Sequence, residues 1–127
     1  MTQLSSDRLF KIWEYQVSHG QLLVRSPKAP ASPSLPEELT NFDLSFHGVE
    51  YVAMPKILRG LELVGPTSSE VDLLSEILGR PIGIENLFIL QSGGQRFSVV
   101  AAGATVSENN WDIFESPFEF RCHFRKE

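Results

Sequence analysis

One cysteine, Cys122, is all the thiol chemistry this chain of 127 residues offers. An internal disulfide is therefore excluded, and so is a zinc site built on cysteine pairs. No apolar run reaches the ~20 residues that cross a bilayer as a helix, and MTQLSSDRLFKIW lacks the apolar segment of a secretory leader. Positive charge is also scarce: 11 Lys and Arg against 16 Asp and Glu leave a net charge of −5. Phosphate backbones are held by clustered cations, so nucleic acid is not an expected partner. The one basic cluster, Arg121, Arg125 and Lys126, reads as a solvated tail. These absences lead us to expect a cytoplasmic protein without a membrane partner.

Catalytic signatures are missing as well. The chain has neither G-x-S-x-G nor H-E-x-x-H, and Gly93-Gly94 is followed by a strand pattern where a phosphate loop needs a helix start. None of His19, His47 and His123 has a metal-ligand neighbour at helical or strand spacing, so neither a metal nor a cofactor is expected. His19 and His47 each precede a glycine, and turn geometry explains both; they would form a functional pair only if the two turns met in space. Cys122 and His123 are adjacent in a strand pattern and point to opposite faces, which rules them out as a nucleophile–base pair. No catalytic residue is assigned, and the chain leans away from being an enzyme.

What is present is a pattern of strands. With 42% hydrophobic and 21% charged residues, the chain reads as one domain over residues 1–127. Its organising stretch is Leu9–Ser26, a hairpin with His19-Gly20 as the centre of a type I′ turn. That register sets Glu14 opposite Arg25 and Tyr15 opposite Val24, and gathers Trp13, Tyr15, Val17, Leu22 and Val24 on the buried face. Residues 27–36 follow, carrying Pro27, Pro30, Pro33 and Pro36. Their three-residue spacing matches polyproline II, and the segment reads as a stiff surface crossover more readily than as a groove ligand. Phe42, Leu44 and Phe46 then alternate with polar residues until Gly48, where the phase flips. A second His-Gly hairpin would do this; so would a bulge in one bent strand, which Pro55 favours by cutting a return strand short.

A short strand is expected at Leu61–Val64, then a helix. Thr67 and Glu70 form a capping box, Val71, Leu74, Ile77 and Leu78 a stripe, and Gly79 with Pro81 the stop. A Gly93-Gly94 turn pairs Leu90 with Phe97 and Phe88 with Val99. The second strand ends in Ala101, Ala102, Gly103 and Ala104, small residues that more often admit a packed neighbour than floor a ligand pocket. SENN reads as a turn. The closing run alternates Phe118, Phe120, Cys122 and Phe124 with charged residues; either it inserts between earlier strands or its edge pairs with a second copy, and a homodimer is the expectation. The fold class is α+β: a curved, mainly antiparallel sheet or partly open barrel of seven to eight strands, with one helix covering an opening.

The runs DRLFKIWEYQVSHGQLLVRS and FDLSFHGVEYVAMP resemble the opening of a family of small uncharacterised bacterial proteins. The resemblance covers the first half of the chain and implies no activity and no site residues. Two functions remain as expectations. The first is a non-catalytic interaction module, neutralising a partner protein or assembling with it. The second is a small-molecule binder or enzyme whose pocket is lined by Trp13, Tyr15, Tyr51 and Trp111. A cavity with convergent polar groups would favour the second, and a filled core beside an exposed apolar face the first.

Overall fold

The computed structural model describes residues 4–112 and Phe118. In chain order the elements are β1 (Leu4–Gln16), β2 (Gln21–Ser26), β3 (Asn41–His47), β4 (Tyr51–Ala53) and β5 (Ile57–Val64), then α1 (Ser68–Leu78), β6 (Leu87–Ser92), β7 (Gln95–Val100) and β8 (Gly103–Asn109). The eight strands make one antiparallel sheet in the order β4-β7-β6-β5-β1-β2-β3-β8, curved but not closed into a barrel. This is the α+β architecture expected from the hairpin pattern.

Two chains turning a corner together give the sheet its bend. β3 continues into β4 through residues 48–50, and β7 into β8 through Ala101 and Ala102. β3 pairs with β8 and β4 with β7, so the bent chains remain partners on both sides of the corner. The Ala102 amide donates to the carbonyls of His47 (3.0 Å) and Gly48 (3.2 Å). Gly48 has φ of +63°, and a Cβ there would lie 2.7 Å from Ala102 Cβ, so only glycine fits. The phase flip at Gly48 is therefore a bend in a long strand rather than a hairpin.

The β6–β7 hairpin has the expected register, with Leu90 opposite Phe97 and Phe88 opposite Val99. The β1–β2 hairpin does not. Glu14 faces Leu23 and Tyr15 faces Leu22, two residues from the expected register, and beyond a bulge Ile12 faces Val24. A two-residue slip keeps every side chain on its face, so the hydrophobic pattern could not separate the two registers. The turn is longer than two residues: a 3-10 turn over Val17–His19 closes on Gly20 at φ +61°, and among the described residues only glycines have positive φ. Gly20 is docked, its carbonyl accepting from the Val49 amide at 2.9 Å. Tyr15 is 41% and Val17 74% exposed, where both were expected on the buried face, while Val24 is buried.

Every residue of β2 from Leu22 to Ser26 is buried. Leu22 and Val24 join Phe10, Leu44, Phe46, Leu90 and Val99 in the core on one face of the sheet. On the other face Arg25 lies between β1 and β3, paired with Asp43 and not with Glu14. α1 packs on the opposite face of β6 and β7, with Leu74 against Leu87, Ile89 and Val100. It covers a sheet face, not an opening, and Ile77 is 52% exposed, outside the expected stripe. Both halves of the Thr67–Glu70 capping box form, and Gly79 takes the left-handed position.

Three further expectations change. The proline segment folds back on itself, with Ala29 and Glu38 exchanging two backbone hydrogen bonds of 2.9 Å, instead of running as a polyproline edge. Ser107–Asn109 extends β8 and is not a turn. Apart from Phe118, which is buried, the expected strand Phe118–Phe124 lies outside the described residues, and the homodimer expectation with it.

Candidate functional site

The same corner opens a cleft. At Leu87 the partner of β6 is Val100, the last residue of β7. One step further the chain turns through Ala101 and Ala102 and pairs with β3. β8 thereby leaves β6, and the gap is a cleft of about 580 Å³. Leu87 and Phe88 form one wall, and Leu63 and Val64 with Gly65 and Pro66 a second. Ala102, Gly103 and Ala104 form the third, their small side chains leaving the space open. Ile84 and Glu85, in a single 3-10 turn before β6, complete it.

Hydrogen bonds hold these walls. The Ala101 amide donates to the Asn86 carbonyl (2.9 Å), and Asn86 Nδ2 donates back to the Ala101 carbonyl (3.1 Å). From β7, Arg96 Nη2 reaches the Gly65 carbonyl at 3.2 Å while its guanidinium forks onto the Glu70 carboxylate at 2.8 and 2.9 Å. Those bonds from Arg96, helped by the Thr67 amide and opposed by partial burial, lower the Glu70 carboxyl to about 2. The ion pair therefore ties the start of α1 to the cleft wall.

Chemically the cleft is apolar. Its lining holds one ionisable side chain, Glu85, and no serine, cysteine or histidine. The volume falls in the ~300–1,000 Å³ range of small-molecule sites, but the convergent polar groups of a reacting site are missing. This arrangement can hold an apolar group; it offers no nucleophile–base pair to transform one.

The aromatic residues singled out from the sequence stand elsewhere and do not converge. The Arg25 guanidinium sits 5.6 Å from the centre of the Trp13 ring. Tyr15 lies on β1 beside Leu22, and Tyr51 packs with the α1 cluster. Trp111 follows β8, accepting from Asn41 Nδ2 through its carbonyl at 2.8 Å. Phe88 is the only aromatic residue of the cleft lining. The one sequence signal near the cleft is the run Ala101–Ala104: three of its residues line the cleft, and the same run admits close neighbours, with Gly48 against Ala102 and the His47 ring against Gly103.

The two His-Gly turns do meet, through the Val49–Gly20 backbone bond. Their rings are engaged separately: His19 Nδ1 is 3.1 Å from Ser18 Oγ, and the His47 ring fills the space beside Gly103. A smaller cleft of about 380 Å³ separates β1 from the proline segment, and includes Arg8, Lys11 and Glu38. Arg8 is already committed there to Ser26, the Thr40 carbonyl and Glu38. Among the described residues no group of three or more His, Cys, Asp or Glu could hold a metal ion, and no helix is long and apolar enough to cross a membrane. Comparison with protein families, curated proteins and solved structures gives no match.

Proposed function

We propose that the protein is a non-catalytic binding module that takes an apolar small molecule into the cleft between β6 and β8. The observation carrying this reading is the contrast between a buried core cluster and an open, almost wholly apolar cleft braced by Asn86 and Arg96. Folding gains from closing such a space, so an apolar gap bounded by fixed backbone is best accounted for by an occupant. A titration with the neutral fluorophore N-phenyl-naphthylamine tests it. Saturable fluorescence gain is expected for the wild type and a large loss of it for Ala102→Phe, which fills the cleft from an exposed position. Equal gain in both proteins would remove the cleft as the site.

A second reading, docking of a partner protein's apolar side chain, is favoured by one observation. Leu73 and Ile77, a turn apart on α1, are 55% and 52% exposed, and Ile84 beside the cleft is 59% exposed. A partner would cover these residues; a small molecule in the cleft would leave Leu73 and Ile77 in water.

A further inference from the structure

We infer that the exposed face of α1 docks a basic amphipathic helix from a partner protein. The apolar stripe of that helix covers Leu73 and Ile77, and its Lys or Arg side chains meet Asp72 and Glu76. This rests on the second reading above, partner docking, and adds the chemistry of the partner. Leu73 and Ile77 stand four residues apart and form one exposed row along α1. Asp72 and Glu76 have the same spacing and form the adjoining row, also exposed. Val71, Leu74 and Leu78 hold α1 on the sheet, and neither exposed row belongs to that cluster.

Two departures from what folding alone favours coincide on this face, and such departures gather where a surface has work to do. The solvent side of a helix favours polar residues where Leu73 and Ile77 stand. A helix C-terminus favours cations, yet α1 has no basic residue in its last turn and carries Glu76 there. A docked cationic helix reverses both costs, covering the apolar row and supplying the missing positive charge. Both carboxylates are open to it. The ion pairs of Arg8, Arg25, Arg80 and Arg96 all go to other carboxylates, so among the described residues neither Asp72 nor Glu76 is in an ion pair. The acidic row also excludes occupants: nucleic acid or an anionic membrane surface would set like charge against it.

Fluorescence anisotropy of three labelled helical peptides titrated with the full chain tests this, their leucine stripe constant and their polar face Lys, Gln or Glu. The Lys peptide is expected to bind roughly fivefold more tightly than the Gln peptide, the size of two exposed charge pairs, and the Glu peptide most weakly. Asp72→Asn with Glu76→Gln should erase the Lys preference. Glu37→Gln with Glu62→Gln makes the same change of net charge at exposed carboxylates elsewhere and should leave the preference intact. Leu73→Ser with Ile77→Ser should weaken all three peptides. A Lys preference that is absent, that survives the change at Asp72 and Glu76, or that falls equally with Glu37 and Glu62 would overturn the inference. Binding that still needs Leu73 and Ile77 would then leave partner docking standing. No binding of any peptide, or binding indifferent to Leu73 and Ile77, would overturn both. Because the three wild-type titrations already discriminate by charge, the test does not depend on any variant folding.

Discussion

Two arginines in this protein grip a carboxylate in the same way, and burial makes them different. Arg25 meets Asp43 through Nε at 2.7 Å and Nη2 at 2.9 Å. Arg96 meets Glu70 through the same two nitrogens at 2.8 and 2.9 Å. The first pair is 0% and 1% exposed and the second 35% and 23%. The buried fork belongs to a network: Asn109 Nδ2 donates to Asp43 Oδ2 at 2.9 Å, and Asn41 Nδ2 to Asn109 Oδ1 at 2.9 Å. It joins β2, β3 and β8 in the closed half of the sheet, while Arg25 Nη1 makes no hydrogen bond and the guanidinium sits against Trp13. The exposed fork braces a wall of the open cleft. Identical geometry thus serves register in one half and shape in the other, because solvent screens only the second.

The largest expected effect comes from breaking the buried fork. Asp43→Ala should cost about 3–5 kcal/mol in urea unfolding, since it strands a guanidinium that water cannot reach. The paired change Arg25→Met with Asp43→Leu should recover much of that loss by removing the unpaired charge. A double variant as unstable as the single one would show that the network, not the isolated charge, sets the cost. Next is Thr67→Ala, which removes the hydroxyl that accepts from the Glu70 amide and keeps the Thr67 amide that holds the Glu70 carboxylate; it should cost about 1 kcal/mol by thermal melting.

The smallest effect is expected from Glu70→Gln, under about 1 kcal/mol at neutral pH for so accessible a pair. Its pH dependence sharpens the comparison. The Glu70 carboxyl is lowered from 4.5 to about 2 by Arg96, so its contribution is complete above about pH 4.5 and lost as pH falls through about 2. The stability gap between wild type and Glu70→Gln should close over that window. A gap that stays constant down to pH 2 would mean that the Arg96 fork contributes nothing.

Neither fork was legible in the sequence. Arg25 had a plausible partner in Glu14, and choosing Asp43, 18 residues away, depends on a hairpin register that the apolar pattern leaves open by two residues. Gly93-Gly94 fixes its own turn, so the β6–β7 register could be read directly; His19-Gly20 belongs to a longer turn docked on Val49, a long-range contact. The capping box was readable because local chemistry settles it; at Gly48 the sequence left a hairpin and a bend open, and the contact with Ala102 decides for the bend. The cleft was not, because it exists only where β7 turns away from β6 and no residue of the chain marks that divergence alone. The aromatic residues drew notice for their size, yet Trp13 and Trp111 are tied to the buried network.

The central claim, that the open cleft and not the aromatic surface is the binding site, is tested most directly by amide chemical-shift mapping with octanol. The account predicts shifts concentrated at Ile84, Leu87, Phe88 and Ala102 through Ala104, with Trp13, Tyr15, Tyr51 and Trp111 unmoved. Shifts gathered at those four aromatics, or at Arg8 and Lys11 beside the proline segment, would contradict it.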